Sequence, residues 1–223
     1  ALFLLDEGEN SIRHNRSRDI PKLRLGASST LTRYVLLSHL ENYIAHFPHV
    51  RITISCQSTY QTLHLLDEEK IDLGLIGRPQ KLRGYYFHPL LKIRDTFVCT
   101  RQYLENQKKL YPDEPLIQAA TFMMLDEDNI TRQTVNTQLK EHHVELSHIL
   151  EVTTMDLLIQ FAEIGLGIAC LIRDFVKKEL EEGTLVEVPV GFSFPPREIG
   201  FVCRQKDANL DLIVPFFGDR QGN

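Results

Sequence analysis

Residues 22–72, KLRLGASSTLTRYVLLSHLENYIAHFPHVRITISCQSTYQTLHLLDEEKID, set the tightest limit on what this chain can fold into. A short apolar run passes through a small hydroxyl-rich turn into an amphipathic helix pattern. After a break marked by Pro48 the same order repeats. Strand, helix, strand, helix with short connections predicts parallel strands and helical crossovers. Two turns of Ser, Thr and Gln then stand where strands end and helices begin. In an open parallel sheet those strand ends converge on one crevice, where small ligands bind.

The first strand covers 23–25 and is closed by Gly26. Leu31, Tyr34, Val35, Leu40, Tyr43, Ile44 and Phe47 recur at helical spacing, with Ser29 or Thr30 as the natural N-cap. β-branched residues mark a second strand over 50–55. Ser58 and Gln61 form a capping box for the second helix, and residues 71–76 form a third strand. YYFHPLLKI and DTFVCT stand so close that they predict either antiparallel pairing or one bent ribbon. RQYLENQKKLYPDEP reads as a polar surface crossing.

From Thr121 the opening pattern restarts. FMML is a strand, DEDN a polar turn, and 130–142 a helix capped by Asp128 or Asn129. HILEV is a strand, and Thr153 with Asp156 has capping-box spacing for a helix over 155–164, ended near Gly165. GIACLI, a charged helix over 173–182 ended by Gly183, and the strand LVEVPV follow. EIGFVCR is a strand that returns the chain to its first half. The closing run to Phe217 is a helix pattern disturbed by Pro215. One architecture therefore appears twice. Two α/β lobes joined by two crossing segments, with a cleft between them, is the simplest assembly.

Composition excludes several classes. The formal charge is −5, spread along the chain, which does not suit phosphate neutralisation on nucleic acid. No run approaches the roughly 18 apolar residues of a membrane span. The start, ALFLLDEGENS, lacks a basic lead-in and a cleavage site, so no signal peptide is read. Residues 1–18 read as the tail of a helix and a linker. Cys56, Cys99, Cys170 and Cys203 sit in or beside apolar runs without CxxC spacing, as small buried hydrophobes in a reducing compartment do. Neither they nor the scattered histidines have metal-ligand spacing, so no metal or cofactor is expected. Glycine-rich phosphate loops and G-x-S-x-G elbows are missing.

The stretches LRLGASSTLTRYVLLSHLENYIAHFPHVRITI, LLDEEKIDLGLIG, EVTTMDLLIQFAEIGLGIACL and LEEGTLVEVPV, in that order and spacing, resemble the effector-binding domain of LysR-type transcriptional regulators over roughly residues 22–217. The resemblance implies a periplasmic-binding-protein type II-like fold. Residues 1–21 become the end of a linker helix and linker, 22–97 with 204–223 the first lobe, and 98–203 the second. It implies no enzyme activity, a cytoplasmic location and a small-molecule effector. It also implies a homodimer, tetrameric in the parent, with Leu36, Leu37 and Leu40 as contact candidates. DNA would be reached only through an N-terminal winged helix-turn-helix outside this chain. A transporter's solute-binding protein is the alternative, and a two-lobed enzyme a further rival.

The expected effector contacts follow the turns. Ser28, Ser29 and Thr30 open the first helix, where unpaired N–H groups and the helix dipole suit an anion. The competing reading is one simple cap. Gln57 occupies the equivalent turn after the second strand. Asn129, Thr131 and Arg132 open a helix of the second half, Arg132 as a partner for an oxyanion unless it is merely solvated. Thr153 and Thr154 follow HILEV. Arg78 is a weaker candidate on the rim.

Overall fold

The computed structural model describes residues 20–218; the expected linker helix at the N-terminus lies outside the described residues. Ten strands form two five-stranded sheets among them. In chain order they are β1 Lys22–Ala27, β2 Arg51–Cys56, β3 Leu73–Gly77, β4 Tyr85–Ile93, β5 Asp95–Cys99, β6 Thr121–Leu125, β7 His148–Val152, β8 Ile168–Ile172, β9 Val186–Glu187 and β10 Arg197–Arg204. The first sheet has the order β2-β1-β3-β10-β4 and the second β7-β6-β8-β5-β9. β1 pairs in parallel with β2 and β3, and β6 with β7 and β8. β10 runs antiparallel to β3 and β4, as β5 does to β8 and β9. The two-lobed α/β expectation and its repeat hold.

The helices are α1 over 29–46, α2 Thr59–Asp67, α3 Arg101–Leu110, α4 Leu116–Ala119, α5 Ile130–Glu141, α6 Met155–Glu163 and α7 Lys177–Glu182. A π-helical segment, Thr32–Leu36, interrupts α1. The strand-end turns behave as capping chemistry requires. The Ser58–Gln61 capping box forms. The first cap is Ser28 rather than Ser29 or Thr30: its Oγ accepts from the Leu31 amide, directly after β1 ends at Ala27. Asn129 caps α5. Thr154, not Thr153, caps α6, accepting from the Leu157 amide. Gly165 and Gly183 take the left-handed φ that ends a helix.

Several readings change. Of the two readings of YYFHPLLKI and DTFVCT, the bent ribbon holds and the pairing does not: β4 lies in the first sheet and β5 in the second, with the chain bending across at Arg94. The return is β10, wholly in the first sheet. The lobe boundaries therefore fall near 94 and 196, not at 97/98 and 203/204. RQYLENQKKL is helix α3, capped by Thr100; its composition is mostly polar and Tyr103 is its one buried residue, so it reads as a surface crossing. LVEVPV pairs only through Val186–Glu187, and the C-terminal pattern forms a short 3-10 turn, Val214–Phe217. The main buried cluster runs through both lobes, joining Leu31 and Ile199 to Leu125, Met155 and Ile172.

Candidate functional site

Parallel strands place the four capped helix starts at the same edge of each sheet, and the lobes set those edges face to face. Ser28, Ser58, Asn129 and Thr154 all border one hollow of about 320 Å³. A cavity of about 40 Å³ lies beneath it, sharing Ser28, Thr30, Ser58 and Asn129 and floored by Gly77, Thr131 and Arg197. Each cap spends its side-chain oxygen on its own helix. The remaining first-turn N–H groups and the dipoles still point at the hollow.

Of the expected residues, Ser28, Ser29, Thr30, Gln57, Asn129, Thr153 and Thr154 border the larger hollow, and Thr131 the cavity below. Gln57 is a limited match. Its Nε2 is tucked over Gly26, 2.7 Å from where a Cβ would stand, and has no hydrogen-bond partner among the described residues. Arg132 does not belong. Its side chain is 5% exposed, with Nη1 donating to the Leu125 carbonyl at 2.8 Å and Nε to Asn136 Oδ1 at 3.0 Å. It lies 3.5 Å from Glu151 and secures the end of β6 instead of facing a guest. Arg78 pairs with Glu198 at 2.5 Å and borders a separate surface groove.

The sequence reading missed Cys56, Asp126, Asp128 and Arg197. Cys56 is exposed at the rim, whereas the other three thiols are buried. Asp126 and Asp128 belong to the polar turn after β6, so their spacing to the Asn129 cap was the available signal. Arg197 carries no local signal: its partner, Asp95, is 102 residues away.

The lobes touch around the hollow. Arg33 donates to Asp156 Oδ1 at 2.9 Å, and Tyr34 stacks on Phe175 with centroids 4.4 Å apart. Burial raises the Tyr34 phenol above its ordinary pKa, against the lowering influence of Arg33. On the other side the Tyr60 hydroxyl donates to Gln133 at 3.1 Å. Arg33 and Tyr34 both sit on the π-helical segment of α1, a feature frequent at functional sites.

The LysR substrate binding domain family matches residues 17–217. The chain belongs to that family. The HTH-type transcriptional regulator YeiE of Escherichia coli K12, itself uncharacterized, is 24% identical over 201 residues, 85% of this chain and 64% of its own length. This LysR domain thus spans less than two thirds of that relative. The regulatory domain of Synechocystis PCC6803 CcmR in complex with 2-PG superposes with a TM-score of 0.67 at 18% identity, covering 83% of this chain and 88% of that one. The effector binding domain of QuiR in complex with shikimate gives 0.68 at 13% identity, covering 89% and 94%. These likenesses establish the shared fold. Among the described residues no helix is long and apolar enough to cross a membrane.

Proposed function

We propose that this LysR domain is the effector sensor of a transcription regulator, and that a small, polar, anionic metabolite sits between its lobes. The convergence of four helix starts on one interlobe hollow carries this reading. Their unpaired amides and dipoles favour an anion. CcmR and QuiR were solved holding 2-PG and shikimate, which supports a small guest. A transporter's solute-binding role is not favoured, because the relatives are transcription regulators.

The guest acts only through different affinity for two lobe arrangements. The Arg33–Asp156 and Tyr60–Gln133 bridges are the contacts that such a change would make or break. In a cytoplasmic parent the change would reach DNA through a helix-turn-helix outside this chain. The domain pairs with a second copy. Leu36 and Leu40 are buried and do not serve there, but Leu37 and Ile44 of α1 are 56% and 52% exposed, and Ile54 of edge strand β2 is exposed too.

A thermal-shift screen with small carboxylic, phosphorylated and neutral metabolites tests the site. At least one anion is expected to raise Tm, with the shift lost in the Thr30→Ala/Ser58→Ala variant. A hit indifferent to that variant rejects the hollow as its site.

A further inference from the structure

The floor of the cleft carries an ion pair between the two crossover strands. Arg197 opens β10 in the first lobe and Asp95 opens β5 in the second. Arg197 Nε donates to Asp95 Oδ2 at 2.7 Å and Nη2 to Oδ1 at 2.8 Å; Nη2 also donates to Thr131 Oγ1 at 2.8 Å. The third nitrogen, Nη1, takes no part in these bonds. It borders Gly77, where a Cβ would stand 3.2 Å away. Thr131 accepts from Arg197, so its own O–H is left to donate elsewhere. Nη1, this hydroxyl and the first amides of α5 thus give the floor a set of donors. Leu31, Ile172 and Ile199 wall the cavity, and apolar walls strengthen a polar contact made there.

The upper hollow has the opposite bias. Asp126 and Asp128 border it, and ionised carboxylates only accept. Space at the floor is limited: about 40 Å³ takes a group of one or two small polar atoms, not a ring.

We propose that Arg197 receives the anionic end of the guest through Nη1, and that the guest's other end carries hydroxyl or ammonium donors toward Asp126 and Asp128. This rests on the cleft being the effector site and narrows the effector to small hydroxy or amino carboxylic acids. Asp95 already neutralises Arg197, so the floor selects by hydrogen-bond direction and helix-start potential, not by excess charge. The same guanidinium ties β10 of one lobe to Asp95 and Thr131 of the other. An occupant at Nη1 therefore bears directly on the contact that sets the lobe angle.

The test is calorimetric titration and thermal shift of the domain with glycerate, serine, malate and shikimate as donor-bearing acids. Butyrate serves as an acid without other donors and glyceramide as a neutral control. Only donor-bearing acids are expected to bind. Gly77→Ala, whose methyl would stand 3.2 Å from Nη1, the guanidinium nitrogen that does not bond Asp95, is expected to weaken the hit about tenfold in Kd, the loss of one charge-assisted hydrogen bond. Arg197→Lys should act alike, and Asp126→Asn/Asp128→Asn should let butyrate approach the others. Equal binding of butyrate or glyceramide by the unaltered domain overturns the proposal, as does a panel without any binder. A hit lost in Thr30→Ala/Ser58→Ala but indifferent to Gly77→Ala overturns it while the cleft reading stands. A hit indifferent to all these variants ends both.

Discussion

Asp95→Asn is the most informative perturbation of stability in this domain. It keeps the side-chain shape and removes the negative partner of Arg197. Asp95 is 2% exposed and the Arg197 side chain 13%, and two guanidinium nitrogens end on this carboxylate. Removing one partner of a buried pair costs about 3–5 kcal/mol, because the other charge is left uncompensated. Arg197 would retain the amide oxygen, Thr131 and some solvent, so about 3 kcal/mol is expected. In a domain of this size each kcal/mol moves Tm by about 2–4 °C, giving a fall of ~6–12 °C. The double variant Asp95→Asn/Arg197→Gln substitutes a neutral amide pair and should lie within about 2 kcal/mol of the parent. Urea unfolding of both single variants and the double variant measures the coupling. A cost for Asp95→Asn below about 1 kcal/mol, or single costs that simply add in the double variant, would refute the reasoning.

Three further outcomes follow from the packing. Gly200 sits at the irregularity in the β10–β4 pairing, and a Cβ there would stand 2.2 Å from the His88 carbonyl oxygen. Gly200→Ala is expected to cost about 3 kcal/mol, the upper range for overpacking, and a denaturation midpoint near the parent's would contradict the register. In the native domain a thiol reagent should label Cys56 alone, and all four cysteines in urea, since Cys99, Cys170 and Cys203 are buried. Burial also pushes Cys99 up to about 12 and Cys203 up to about 11, with Cys170 raised as well. The unfolded chain then loses these protons first. Stability should be intact below pH 9.0, the ordinary thiol value, and fall as pH rises toward about 12. A flat alkaline profile counts against this burial.

The features legible in the residues were those whose cause lies within a few positions. The Ser58–Gln61 capping box, the left-handed glycines and the apolar spacing of α1 all concern neighbours on one turn. Their placement slipped by one residue at Ser28 and Thr154, because adjacent hydroxyl residues are chemically alike as caps. α3 was missed for a physical reason as well. A helix that is mostly polar and buries little besides Tyr103 reads as a surface segment, although the Thr100 cap and the spacing of Tyr103, Leu104 and Leu110 announced it. Arg132 shows the reverse error. Its place in the first turn of α5 was clear, but the direction of its side chain depends on how α5 packs on β6. There Arg132 meets the Leu125 carbonyl.

Local chemistry was thus enough to specify repeated strand–turn–helix units, the polar turns that end them and the family they resemble. It could not specify which strand joins which sheet. YYFHPLLKI and DTFVCT are adjacent in the chain yet lie in different lobes, and this assignment moves both crossovers. Nor could it join Arg197 to Asp95, since a hydrogen bond between residues 102 positions apart exists only after both sheets have formed and faced one another. The walls of the cleft are written in short-range patterns. Its floor comes from the meeting of distant strands.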